Sequence, residues 1–261
     1  MSPAALERIA LLGNEIEYLR VPGRRSGSPA IVFLHEGLGS VRLWRSFPAA
    51  LAERTGCPAL IYSRAGNGFS SVVAPAREPG YMHDEALTVL PALLEALGIG
   101  DVVLAGHSDG GSIALIFAGE HPERVRGLVL EAPHLFVEVL SLTSIAAMRT
   151  QYETTGLRER MSRHHADANR TFYGWNDVWL SPAFASWNIE SHAARVSAPV
   201  LVVQGTADEY GTLAQLDALA AKARGSVDRL VLADCGHAPH ADRPEIVVSA
   251  SAAWIDEKIA R

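Results

Sequence analysis

The sequence predicts an α/β fold built on a mostly parallel, doubly wound sheet, and three observations carry that expectation. Short runs of β-branched and apolar residues recur along the chain. They do not alternate with polar residues, so they suit strands covered on both faces. Helical patterns lie between them, and strand–helix alternation implies parallel strands joined by crossovers. The length of 261 residues suits one such unit, since α/β domains of roughly 200–250 residues commonly form a single domain.

The elements follow in chain order. Residues 7–21 read as an antiparallel hairpin, "RIALL" and "EIEYLRV" around a Gly13-Asn14 turn, leading into the sheet. The buried runs are "AIVFLH" (30–35), "PALIYS" (58–63), "DVVLAG" (101–106), "RVRGLVLEA" (124–132), "APVLVVQG" (198–205) and "VDRLVLAD" (227–234). A helix is expected over 84–97, where Leu87, Leu90, Leu94 and Leu97 recur at intervals of three and four and Gly98 supplies a stop. Residues 213–223 and 244–259 also read as helices. One region breaks the alternation. Residues 134–193 hold no strong strand, and "TFYGWNDVWLSPAFASWNIE" (171–190) concentrates Phe172, Tyr173, Trp175, Trp179, Phe184 and Trp187. A helical insertion that buries its own rings and a lid over a pocket both fit this segment. The expected division is a core in two parts, 1–133 and 194–261, around the insertion 134–193.

Composition narrows the partners. The net charge is −6, and "VPGRRSG" is the only basic cluster, whereas binding a polyanion needs a basic surface. No nucleic-acid partner is expected. The two cysteines, Cys57 and Cys235, follow no metal-ligand or disulfide-framework spacing and are expected as free thiols in a reducing cytoplasm. Glu7, Arg8, Glu15 and Glu17 leave no apolar signal-peptide core in the first twenty residues, and no apolar run reaches the length of a membrane span. No membrane partner is expected; monomer and homodimer both stay open.

The chemistry is carried by residues that follow strands, where ligands bind in open α/β sheets. "DVVLA" is followed by Gly106-His107-Ser108-Asp109-Gly110. This is G-x-S-x-G between a strand and a helix, a turn that holds up one hydroxyl. Glycines flanking the strained serine let strand and helix approach, and the helix N-terminus favours developing negative charge. "APVLVVQG" is followed by Thr206-Ala207-Asp208, and "VDRLVLADC" by Gly236-His237. A serine hydroxyl needs a base to take its proton, and a histidine base needs a carboxylate to orient it. All three groups stand at strand ends in the order Ser, Asp, His. His237 and His240 could also be read as a pair of metal ligands, but zinc needs three or four and no third stands nearby. His107 and His35 read as packed histidines, His35 bracing the loop after its strand, and His164 and His165 as solvated polar residues. No Walker motif or dinucleotide fingerprint occurs.

With "GHSDGG" (106–111), "GTAD" (205–208), "CGHAPHADRPE" (235–245), "FLHEGLGSVRLW" (33–44) and "SRAGNGFS" (63–70), the chain resembles the α/β-hydrolase superfamily over nearly its whole length. The resemblance implies that Ser108 is the nucleophile, His237 the general base and acid, and Asp208 the orienting acid. Glu209 adjoins Asp208 and Asp234 lies close to His237, but Asp208 falls at the family's loop position. The insertion 134–193 looks like the family's cap. The oxyanion hole would use the backbone N–H of Asp109 and that of Gly37 or Leu38.

The chain departs from the pattern at Glu36, which holds the place of a family glycine, at Ser63-Arg64-Ala65-Gly66, where Asp-Arg-x-Gly is usual, and at Asp109, where an apolar residue is common. A free carboxylate beside a developing oxyanion would raise the barrier. Glu36 is therefore expected either to turn away, with Arg64 as its partner, or to face the pocket and bind a polar or cationic substrate group. Trp175 and Trp179 are expected to line the pocket. The resemblance implies hydrolysis of an ester or related acyl bond of a small apolar or aromatic molecule, with neither metal nor organic cofactor. A thioesterase, a hydrolase of C–C bonds in aromatic degradation, and a ligand-binding receptor on the same scaffold are the alternatives.

Overall fold

The computed structural model describes residues 6–73 and 77–259. Eight strands form one sheet: β1 (Glu7–Leu11), β2 (Asn14–Val21), β3 (Ala30–Leu34), β4 (Ala59–Tyr62), β5 (Val102–His107), β6 (Val125–Glu131), β7 (Val200–Gly205) and β8 (Val227–Leu232). Their order is β1-β2-β4-β3-β5-β6-β7-β8. The pairs β1–β2 and β2–β4 are antiparallel, and every pair from β4–β3 to β7–β8 is parallel. The chain thus winds outward from β3 in both directions, and the carboxyl ends of the parallel strands share one rim.

Burial on both faces explains the unbroken apolar runs. In β3, Ile31 and Phe33 enter one core while Val32 and Leu34 enter the other. In β5, Val103 and Ala105 face one way, Val102 and Leu104 the other. Each side is then roofed by helices. Phe47–Thr55 and Pro244–Lys258 cover one face, and Leu90–Ala96, Asp109–Glu120 and Ala214–Lys222 cover the other.

Two local expectations need correction. The hairpin turns at Leu12-Gly13, not Gly13-Asn14, because the register pairs Leu11 with Asn14. Both turn residues have positive φ, 49° and 80°, as a two-residue turn matched to strand twist requires. The second helix begins at Tyr81 and contains a wider π turn over Glu85–Val89 before continuing as Leu90–Ala96. The extra residue rotates the phase of the apolar face. Leu87 is left 39% exposed, and Leu93 joins Leu90 and Leu94 in the core. Gly98 does end the helix, with φ 65° and a bond from Ile99 N–H back to the Leu94 carbonyl.

Between β6 and β7 the chain leaves the sheet for the helices Val139–Thr154, Leu157–Met161, Ala168–Trp179 and Glu190–Ala193. Part of this excursion buries itself: Tyr152 stacks on Phe172 at 3.9 Å, with Met161 and Ala168 alongside. Trp175, Trp179, Phe184 and Trp187 instead join the core above the sheet. Cys57 and Cys235 are buried free thiols. No described helix is long and apolar enough to cross a membrane.

Candidate active site

The site is assembled at the carboxyl rim of the parallel strands. β5 ends at His107, and the next residue, Ser108, has φ 53° and ψ −117° before the helix Asp109–Glu120 begins. An L-residue pays for such a conformation. Packing enforces it: a Cβ on Gly110 would collide with the Leu34 carbonyl, and one on Gly106 with that of Gly110. The helix therefore comes close enough to β3 to hold the serine at the crest. Ser108 N–H is anchored on the Glu131 carbonyl at 2.9 Å.

Asp208 follows β7 and His237 follows β8. His237 Nδ1 lies 2.8 Å from Asp208 Oδ1. Oδ1 also receives the backbone N–H groups of Tyr210 (2.8 Å) and Gly211 (3.2 Å), and Oδ2 receives the Gln204 amide at 3.0 Å. Burial would raise the pKa of Asp208, but His237 and the Tyr210 N–H outweigh it and hold the carboxyl below the usual range. An ionised Asp208 accepts Nδ1–H, which leaves the Nε2 lone pair of His237 as the basic position. Glu209, the neighbouring carboxylate, is exposed.

Ser108 and His237 line one cavity of about 130 Å³ together with Glu36, Gly37, Leu38, Asp109, Trp175 and Trp179. The Ser108 hydroxyl makes no hydrogen bond to His237 in this structure; such contacts commonly tighten only with substrate bound. A larger groove, about 840 Å³, lies at the opposite end of the strands beside Arg20 and Asp101. It is remote from all three groups and from the rim where ligands bind in such sheets.

The loop after β3 presents its donors by turning its carbonyls away. Arg64 donates to the carbonyls of His35 (2.6 Å) and Glu36 (2.9 Å), and Asn67 to those of Gly37 and Gly39, each at 3.1 Å. In a trans peptide the following N–H points the opposite way, which leaves those of Gly37 and Leu38 without a partner among the described residues. The Asp109 N–H, in the first turn of its helix, is also free of an intrahelical acceptor. The Trp175 indole packs directly over Gly37, where a Cβ would overlap it.

Arg64 is thus spent on carbonyls and is not the partner of the Glu36 carboxylate. That carboxylate lies 3.6 Å from His107 Nδ1, and Glu36 is also among the residues lining the cavity. Burial opposes its charge, but His107, then His35 and His240, hold the Glu36 carboxyl well below the usual carboxylate range. Asp109, 1% exposed, accepts the Tyr81 hydroxyl at 2.5 Å, and Tyr81 accepts the Trp179 indole N–H at 3.0 Å.

One other histidine also differs from expectation. His165 is buried, not solvated, with Nδ1 accepting Gly68 N–H at 2.9 Å and burial lowering its pKa to about 4. His240 is turned to Glu131, 3.0 Å away. His35 braces its loop as expected, accepting Arg64 N–H at 3.1 Å. Sequence reasoning missed Tyr210, whose ring lies 4.7 Å from that of His237, and His134, Ile145 and Met148, which also line the cavity. Tyr210 stands two residues after Asp208, and Ile145 and Met148 are three apart on one helix. Those spacings were visible, but nothing in them pointed at the site.

Residues 31–250 match the model of the Alpha/beta hydrolase family. The chain belongs to that family. A curated relative, the proline iminopeptidase of Lactobacillus helveticus (strain DPC 4571), is 24% identical over 96% of this chain and 97% of its own. Among solved structures, a haloalkane dehalogenase from Bradyrhizobium elkani USDA94 superposes with a TM-score of 0.80 at 20% identity, covering 99% of both chains. The enol-lactonase from Burkholderia xenovorans LB400 gives a TM-score of 0.76 at 20% identity, covering 96% of this chain and 100% of its own. The protein is a hydrolase of the α/β-hydrolase superfamily, and the dehalogenase and the enol-lactonase share its fold.

Proposed function

We propose that this α/β-hydrolase cleaves an ester or related acyl bond of a small, largely apolar molecule through an acyl-enzyme. The observation that carries the proposal is the strained Ser108 sharing a cavity with a His237 oriented by Asp208. Ser108 Oγ attacks the carbonyl carbon while its proton passes to His237 Nε2. The oxyanion rests on the N–H groups of Asp109 and of Gly37 or Leu38. His237 then protonates the leaving group, takes a proton from water, and returns it to Ser108 Oγ as the acyl group departs as acid. The buried free thiols fit a cytoplasmic enzyme. Turnover of p-nitrophenyl acetate tests the proposal, and its absence alongside tight ligand binding would favour a receptor. A panel of aryl esters, acyl thioesters and ring-cleavage diketones then ranks the bond types.

A second reading, hydrolysis of an amide next to a protonated amine, is favoured by two facts together. Curated relatives matched along their full length are named proline iminopeptidases. Glu36 and Asp109 are among the residues that line the cavity, with no lysine or arginine there. Prolyl p-nitroanilide belongs in the same panel. Glu36→Gln separates the readings. Loss of its charge should raise KM for amine-bearing substrates about tenfold, the scale of one charged hydrogen bond, and leave neutral esters within twofold. Equal effects on both classes would make Glu36 purely structural.

We also propose that segment 134–193 acts as a cap and that Trp175 and Trp179 form the cavity wall. Trp175→Ala removes a ring that packs on Gly37. It should raise KM for aryl esters by about tenfold, roughly 1.4 kcal/mol, and shift preference toward alkyl esters, with circular dichroism unchanged. Wild-type kinetics across aryl and alkyl esters would reduce Trp175 to packing.

A further inference from the structure

Behind the cavity lies a buried set of charged and titratable groups that the proposed mechanism does not use. The Glu131 carboxylate, 2% exposed, accepts two hydrogen bonds from His240 on one oxygen, the backbone N–H at 2.7 Å and ring Nδ1 at 3.0 Å. The same residue's carbonyl anchors the N–H of Ser108. Beside it in register on β5 is His107, whose Nε2 donates to the backbone carbonyl of His237 at 2.7 Å. The rings of Trp44 and Phe47 enclose His240 at 4.8 and 5.5 Å.

We propose that Glu131 and His107 are positioning residues, which together lock the loop carrying His237 to the elbow carrying Ser108. The proposal rests on reading Ser108 and His237 as the reacting pair. Its force comes from what Asp208 leaves undone. Asp208 holds the imidazole only through Nδ1. The backbone that bears this ring, residues 233–238, lies in no strand or helix and passes through Asp234 at φ 50°. Ala207 N–H on the Cys235 carbonyl and Gly236 N–H on Asp242 tie this loop to the end of β7 and to the helix that follows, whereas two cross-links tie it to Ser108. One runs from the Ser108 N–H through Glu131 to His240. The other runs from His107, the residue preceding Ser108, to the His237 carbonyl. Removing either leaves His237 oriented toward Asp208 but free to drift from the nucleophile, and a drift of about 1 Å can cost on the order of 100-fold in rate.

Burial would strip the charges from the Glu131–His240 pair, yet each partner preserves the other's. Burial lowers the His240 pKa but Glu131 raises it overall, and burial raises that of Glu131 but His240 brings it below the usual range. Glu36, His107 and Arg45 are the other charged or titratable groups facing His240. A raised histidine value makes the pair's stabilisation complete below the ordinary histidine pKa of 6.5, and it is lost as pH rises through the raised value. A depressed carboxylate value makes it present above the ordinary 4.5, and it is lost as pH falls through the lowered one. The Tm gap between wild type and Glu131→Gln should therefore be widest between about pH 4.5 and 6.5.

The test is Glu131→Gln and His107→Phe in the full chain, assayed on the aryl ester that wild type hydrolyses, well below each variant's Tm. We expect kcat to fall 10- to 100-fold with KM within twofold, phosphonate labelling of Ser108 to slow in parallel, and His107→Gln, which keeps a donor, to recover part of the loss. The low-field ring N–H resonance of His237, bonded to Asp208, should broaden or shift in both variants. Should Glu131→Gln not fold, the two His107 variants carry the same comparison. A kcat within twofold of wild type with an unchanged resonance overturns the proposal. So does a loss that follows only the unfolded fraction. A wild type that neither turns over esters nor takes the label would instead sink the catalytic reading, and the His237 resonance would still report whether Glu131 and His107 hold the ring.

Discussion

Ser108→Ala and His237→Ala should each lower kcat on the best ester substrate by about three to six orders of magnitude, the scale on which a serine hydrolase loses rate with its nucleophile or base. The two effects should not add, because a base without a nucleophile and a nucleophile without a base leave the same residual catalysis from the N–H groups of Asp109 and the Gly37–Leu38 loop. KM should move little in either variant, since neither substitution alters the tryptophan wall. A serine-directed phosphonate should label Ser108 alone. Stability should hold or rise in Ser108→Ala as far as the side chain is concerned. The positive φ of 53° remains, however, and alanine gains nothing there. Near-wild-type hydrolysis by Ser108→Ala, or labelling of another serine, would remove the mechanism.

Asp208→Asn should cost about 10⁴-fold in kcat. Oδ1 serves His237, Tyr210 and Gly211 while Oδ2 serves the Gln204 amide. An asparagine oxygen in the Oδ1 place therefore sets its NH2 against that of Gln204, and the reverse orientation sets its NH2 against His237 Nδ1–H and two backbone N–H groups. In the second orientation the imidazole is pushed toward the tautomer protonated on Nε2, which cannot take the proton of Ser108; in the first it keeps its tautomer but loses the carboxylate charge that stabilises the imidazolium. Glu209 does not compensate: its side chain is exposed, and its carbonyl is held by the Ser144 hydroxyl at 2.5 Å. Sequence alone left open that a carboxylate one residue away could stand in. Kinetics of the single variant beside Asp208→Asn/Glu209→Gln decide the point, because equal losses exclude a contribution from Glu209, whereas a further drop in the double variant would reveal one.

Much of this protein could be read without coordinates, for a physical reason particular to its fold. A parallel sheet covered on both faces needs uninterrupted apolar strands, so β3 through β7 announce themselves as runs, while β8, at the edge, leaves Arg229 and Val231 exposed. The turn that raises Ser108 needs glycines where strand and helix touch, so Gly106 and Gly110 mark it. Groups placed beyond strand ends are found by counting to the end of each run, which is how Asp208 and His237 came into view. These are local demands, written in consecutive residues. Side-chain partnership is different. Arg64 and Glu36 looked like a pair because opposite charges stood on neighbouring loops, yet Arg64 is consumed by two carbonyls and the carboxylate meets His107. Leu87 kept the helical spacing, but one π turn moved it to the surface. His107, Tyr210 and His240 stand within three residues of Ser108, Asp208 and His237, but what their side chains touch, and the approach of Glu131 from the neighbouring strand, is encoded by no sequence interval. Which groups the local pattern places at the rim was determined by the sequence itself. Which of them touch was decided only when eight strands and the helices above them packed together, because a hydrogen bond depends on ångström-scale distances that the whole fold sets at once.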